Sequence, residues 1–225
     1  MKKGVLLFII LLALKTNAQT FGGGFVLGIP QGEFKAKVNN LGYGIQLQGT
    51  IFSPSALRPI TIGLNAGYMI YGDETSSRPL SETIPDVYVN VNRTNNIANL
   101  HLLFQVSPFM GNVRPYCEGL FGAAYLFTTT KVESENSGTG VFESTNFDDF
   151  TWSYGFGGGF LIKLKENLGS VNTLFLDIKA RYIFGTEAEY LKEGSVRIIN
   201  GHAVYDVLKS KTDLLTISIG AVAYF

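Results

Sequence analysis

The sequence has one cysteine, Cys117, and two histidines, His101 and His202. A single cysteine excludes an intramolecular disulfide framework, and so few soft ligands exclude a zinc-type cluster at the usual spacings. Acidic and basic residues balance at 18 each. No polybasic run occurs, so nucleic acid is not an expected partner. Beyond the N-terminus no uninterrupted apolar stretch approaches the about 20 residues that a spanning helix requires. No transmembrane helix is therefore expected.

What is present begins with "MKKGVLLFIILLALKTNAQ". Lys2 and Lys3 precede an apolar run, then small and polar residues ending at Ala18, the layout of a secretory signal peptide. Cleavage after Ala18 is expected, which divides the chain into a leader at 1–18 and one domain at 19–225. Glycine (26) and aromatics (13%) are abundant, whereas charged residues make up only 16%. That balance favours β structure with close backbone contacts.

Alternation of apolar and polar residues predicts eight strands, at 21–29, 41–52, 60–72, 97–107, 114–128, 151–164, 173–185 and 214–225. Three connections are short turns ("SPSALRP", "PFMGN", "KENLGS"); the other four are polar and mostly longer. Short and long connections alternate, so in an up-and-down meander the long loops leave one end and the turns leave the other. Transmembrane barrels have this asymmetry.

Sidedness carries the fold assignment. Tyr43, Ile45, Leu47, Gly49 and Ile51 share one face of the second strand; Gly44, Gln46, Gln48 and Thr50 share the other. Across the eight strands the apolar face bears no charge, and Arg114, Glu118, Lys163, Asp177, Lys179 and Arg181 all fall opposite. A soluble barrel or sandwich places its apolar face inside. Here the broad aromatic face reads as the outside and the narrow polar face as the lumen. A cation on the outside at mid-membrane would cost about 2–4 kcal/mol. Tyr43, Tyr68, Tyr125, Phe127, Trp152, Tyr154, Tyr182 and Phe184 gather at the long-loop end as an interfacial girdle, with Phe52, Phe160 and Phe225 at the other. A strand of about 10 residues, tilted about 45°, spans about 23 Å, close to the apolar band of such barrels. The expected fold is all-β, an eight-stranded antiparallel up-and-down transmembrane β-barrel with its lumen filled by side chains.

Candidate chemistry is sparse. Glu118, Asp177, Lys179 and Arg181 point inward, two acids beside two bases, and are expected to form a structural network that plugs the barrel; a gated ion path is the alternative. His101 also faces inward, beside Asn99 and Gln105, as a hydrogen-bonded filler. No serine adjoins it in sequence, so no hydrolase triad is visible. His202, near Tyr205 and Asp206, reads as a loop histidine. "YGFGGGF" (154–160) lacks the Lys-Ser/Thr and helix of a phosphate loop. Asp148 and Asp149 lack a spaced calcium-ligand loop, the sequon at Asn92-Arg93-Thr94 carries little weight, and Cys117 is a lipid-facing filler. No catalytic, metal or cofactor site is expected.

The last strand, "ISIGAVAYF", alternates to a terminal aromatic. It resembles the C-terminal signal of bacterial outer-membrane barrels, which implies that Phe225 is read by the barrel-assembly machinery. The wider chain, through "IPQGEF" (29–34), "RPYCEGLFGAAY" (114–125) and "LDIKARYIFG" (176–185), resembles the small outer-membrane β-barrel family of Bacteroidetes-type bacteria, similar in architecture to the OmpA transmembrane domain and OmpX. The resemblance implies residence in the outer membrane, amid its lipid. A non-enzymatic structural or surface-interaction role is expected, porin-like in architecture only, with the long loops as the place for an extracellular partner. The loop after residue 185 alternates around 196–199 and 203–208, which suggests strands extending above the membrane. A narrow channel or secretion-system accessory barrel is the alternative, and a lipid-modifying enzyme is disfavoured.

Overall fold

The computed structural model describes residues 20–51, 54, 59–81, 84–108, 110–134, 140–199 and 202–225. The expected leader at 1–18 and Phe52 lie outside them. The described chain forms β1 (Thr20–Pro30), a short helix α1 (Gly32–Lys37), β2 (Gly42–Thr50), β3 (Ile60–Ser81), β4 (Ile84–Val106), β5 (Val113–Ser134), β6 (Gly140–Leu168) and β7 (Val171–Gly185). The short strands β8 (Glu187–Tyr190), β9 (Val196–Ile199), β10 (His202–Tyr205) and β11 (Leu208–Lys211) precede β12 (Leu214–Tyr224).

β1 to β7 pair in sequence order, and β12 closes the barrel between β7 and β1. Every neighbouring pair is antiparallel, and the closing ladder runs from Thr20↔Tyr224 to Pro30↔Leu214. Closure leaves no strand edge within the barrel wall, which an apolar solvent demands of any sheet.

The faces follow the alternation in the sequence. Phe25 (74%), Leu100 (58%) and Phe156 (62%) are among the most exposed large apolar side chains, whereas Gln46, Asn65, His101, Gln105 and Ser218 are buried. This inverts the burial preference of a water-soluble protein. The exposed apolar band is the surface expected against hydrocarbon.

Three of the four long connections differ from the polar loops expected. The first contains α1. The second and third are mainly strand: β3 and β4 run on as a hairpin to Ser81 and Ile84, and β5 and β6 to Ser134 and Gly140. Their polar composition reads as loop, but Val89, Val91 and Val132 keep a two-residue period in them, and the period decides. The fourth connection holds two ribbons, β8 with β11 and β9 with β10, in keeping with the alternation noted there. Two register shifts, near Ile70/Gly72 and Thr128/Thr129, sit where β3 to β6 leave the barrel. Bulges at a rim bend and twist a strand.

Candidate functional site

β5, β6 and β7 place Glu118, Gly157 and Arg181 in one cross-strand row. Gly157 has no side chain, so Arg181 extends across it; a Cβ there would lie 2.8 Å from Arg181 Cγ. Arg181 Nε and Nη2 donate to the two Glu118 carboxylate oxygens at 2.5 and 3.2 Å. Its Nη1 donates to Gln46 Oε1 (2.9 Å) and Asn65 Oδ1 (3.2 Å). The adjacent row repeats the device with Tyr116, Gly159 and Lys179. Lys179 Nζ donates to Asp177 Oδ2 (2.8 Å) and Gln48 Oε1 (2.5 Å), and the Tyr116 hydroxyl donates to Asp177 Oδ1 (2.5 Å).

All four ions are at most 5% exposed. Two cations and two carboxylates sum to zero, and Asp177, Lys179 and Arg181 each have a neutral partner besides. Buried charge is tolerated in low dielectric only on such terms. Four of the five inward-facing residues singled out in the sequence thus meet in one network. Gln46, Gln48, Asn65 and Tyr116 complete it; their inward alternation was the available signal, but not their pairing.

His101 stands apart. Its Nε2 lies 2.9 Å from Ser153 Oγ, and its Nδ1 has no partner. The absence of an adjoining serine, expected from sequence, is therefore corrected. β4 and β6 do not pair directly; both pair with β5, where Gly122 stands between His101 and Ser153 in one row. Among the described residues no carboxylate bonds the imidazole, so the pair is without the orienting acid of a triad there.

The lumen is also less polar than expected, because the network is flanked by two apolar tiers. At the long-loop end Phe34, carried by α1, is fully buried among Met69, Tyr71, Ile97, Leu126 and Tyr190. Its ring packs edge-on against Tyr71 (5.6 Å) and Tyr190 (5.1 Å). Lys37 Nζ donates to the Lys209 carbonyl, and Lys211 N donates to Glu33 Oε2, tying α1 to β11. Burial holds the Tyr190 phenol above its usual range, so it stays neutral beside Ser210, 2.6 Å away. At the turn end Tyr116, Leu161, Phe175 and Val222 form a floor, with the Arg114 guanidinium 4.6 Å above the Phe175 ring. A cavity of about 30 Å³ remains between the network and the outer tier, and one of about 10 Å³ near the floor. The larger is water-sized.

Other singled-out residues stay separate. Cys117 is exposed on the outer wall. Asp149 accepts from Glu189 N (2.7 Å) and Phe150 N (2.8 Å). His202 begins β10. Phe225 follows β12 and is half-buried at the turn end. Among the described residues no group of three or more His, Cys, Asp or Glu is placed to hold a metal.

Beyond the rim, β3 to β6 continue as one four-stranded sheet. β2 leaves β3 at Tyr43↔Ile70, and β7 meets β6 only from Ser153↔Gly185. Among the described residues neither outer edge of the protruding part has a ladder partner. The fourth connection touches both edges near their base, through Asp73 N donating to Glu193 Oε1 (2.9 Å) and the Asp149 bond.

A closed antiparallel meander of eight strands, apolar outside and ionic within, is a transmembrane β-barrel. No protein-family model matches the chain, nor does any curated protein. Among solved structures it is similar to Neisserial surface protein A, at 10% identity and a TM-score of 0.44, over 92% of this chain and 96% of that one. It is similar also to a major outer membrane protein from Thermus thermophilus (11%, 0.42, 92% and 99%). A third is Ail of Yersinia pestis in complex with the heparin analogue sucrose octasulfate (14%, 0.35, 92% and 97%). Likeness at this level adds no argument about function; the class rests on the strand order and sidedness.

Proposed function

We propose that this chain is a non-enzymatic outer-membrane barrel that acts at the cell surface through its protruding sheet and fourth connection. It is exported by a leader cleaved after Ala18 and inserted by machinery that reads the terminal strand and Phe225. Glu118, Asp177, Lys179, Arg181 and His101 serve structure: they fill and cross-brace the lumen. The observation that carries the reading is the four-stranded sheet continuing past the closed barrel with edges that have no ladder partner among the described residues. Such edges accept an extended segment by strand addition. Pro79 blunts the β3 edge, since it has no N–H to offer, which leaves the β6 edge from Gly140 to Asp148 as the better acceptor. A channel is disfavoured by the three successive tiers across the lumen.

The test trims the sheet. Residues 76–91 and 131–143 are each replaced by Asn-Gly, a two-residue hairpin turn. Cells carrying the full chain should bind an extracellular protein from an immobilised panel. Cells carrying the trimmed chain, at equal abundance and with an intact heat-modifiable band, should not. Equal binding by both would remove the protruding sheet from the function.

A further inference from the structure

The chain's formal neutrality conceals a polarity along the barrel axis. Segments 71–96 and 127–151, which supply the protruding sheet, hold nine acidic residues and three basic ones, Arg78, Arg93 and Lys131. The lumen network sums to zero. The fourth connection is nearly balanced, with five acids and four bases in 185–213. The turn end has the opposite sign, with Arg114, Lys163 and Lys165 against Glu166. The excess of negative charge is thus a property of the protruding sheet.

Two of the three bases are committed within the sheet. Arg93 is buried with Glu74 Oε2 3.6 Å from its guanidinium, and Lys131 lies 3.7 Å from Glu143. The imbalance is steepest along the β6 hairpin, where 127–151 holds five acids and Lys131 alone. Glu143 stands opposite Lys131 and Asp148 opposite Phe127. Five residues apart, these two acids would point to opposite faces of a regular strand. The register shift between Thr128 and Thr129 admits one extra β6 residue, Asn146, and brings both acids to the outward face, where both are exposed. A strand added along β6 would carry alternate side chains onto that face beside Glu143 and Asp148. Opposite charges across such a ladder stabilise it, and like charges destabilise it. A potential of one sign over the whole sheet also steers a cationic partner in and keeps an anionic one away.

We infer that the partner of the protruding sheet is a cationic polypeptide, which presents lysine or arginine at alternate positions of an extended segment to Glu143 and Asp148 along the β6 edge. Polyanions, among them nucleic acid and sulfated polysaccharide, are repelled by the same field. The inference rests on the edge reading proposed above and adds to it the chemistry of the partner.

The full mature chain, folded in a non-ionic detergent, would be titrated into labelled peptides of alternating Lys-Thr, Gln-Thr and Glu-Thr, each of about 12 residues so as to cover the edge, with fluorescence anisotropy as the readout. The lysine peptide should bind about tenfold more tightly than the glutamine peptide, and the glutamate peptide should not bind. Raising salt from about 0.1 M to about 1 M shortens the screening length from about 10 to about 3 Å and should weaken the lysine peptide about fivefold. Glu143→Gln/Asp148→Asn keeps the shape of both side chains and should reduce the preference for lysine over glutamine to about threefold. A lysine peptide N-methylated at alternate residues has the same charge but no N–H to offer a strand edge, and it should lose binding. Equal binding of the three unmethylated peptides would overturn the inference and leave the edge reading in place. Undiminished binding of the methylated peptide would remove the edge reading, and with it the inference. No binding of the lysine peptide, or a full preference for it in the Gln/Asn variant, would also overturn the inference.

Discussion

Arg181 joins four other side chains into one scaffold, and these partners come from β2, β3 and β5. Removing Glu118 would strand its guanidinium in low dielectric, so Glu118→Ala should destabilise the folded barrel by about 3–5 kcal/mol, read as the midpoint of urea unfolding in detergent. Glu118→Leu/Arg181→Met removes both charges at similar volume and should recover most of that loss. A double variant as unstable as the single one would show that the neutral amides, and not the ion pair, dominate. Phe34→Ala should cost about 3–5 kcal/mol in the same assay, by emptying the centre of the outer apolar tier. At this scale the sequence was partly legible. Inward alternation marked the four ions, but the juxtaposition of His101 with Ser153 depends on register across three strands. Phe34 was hidden in a polar segment whose one apolar aromatic has no periodic neighbours.

At the scale of elements, alternation located all eight barrel strands and misjudged where four of them end. Asn, Thr and Asp between 73 and 96 look like loop chemistry. Pairing β3 with β4 keeps their backbone bonded and puts Val89 and Arg93 on the buried face. Trimming 76–91 and 131–143 should therefore leave the transition of the barrel itself within about 1 kcal/mol of the full chain, since the ionic and apolar tiers lie below the cut. A larger loss would mean that the protruding sheet braces the barrel. For β12 the expectation separates assembly from stability. Deleting Phe225, which lies beyond the last ladder pair Thr20↔Tyr224, should lower the amount of folded protein in cells several-fold. It should leave the urea midpoint of protein refolded in detergent unchanged.

On the scale of the whole molecule, the barrel is closed laterally by its strand order and axially by three tiers. In planar bilayers it should pass no stable single-channel current. Glu118→Ala should still pass none, because Phe34 and Phe175 close the lumen above and below the vacated carboxylate. Large, stable currents from the full chain would sink the structural reading of the network and restore the channel.

Solvent sidedness was determined by the sequence alone. A two-residue period with every charge of the barrel-wall segments on one face admits one arrangement in which backbone bonds are satisfied and no ion meets hydrocarbon, and that arrangement is a closed barrel. Only the tertiary structure decided what fills it and what rises above it. The ion pairs, the Gly157 and Gly159 gaps that let cations cross a strand, the α1 stopper and the β3–β6 sheet all depend on register. Register is fixed by contacts between strands far apart in the chain, which periodicity within a strand does not contain.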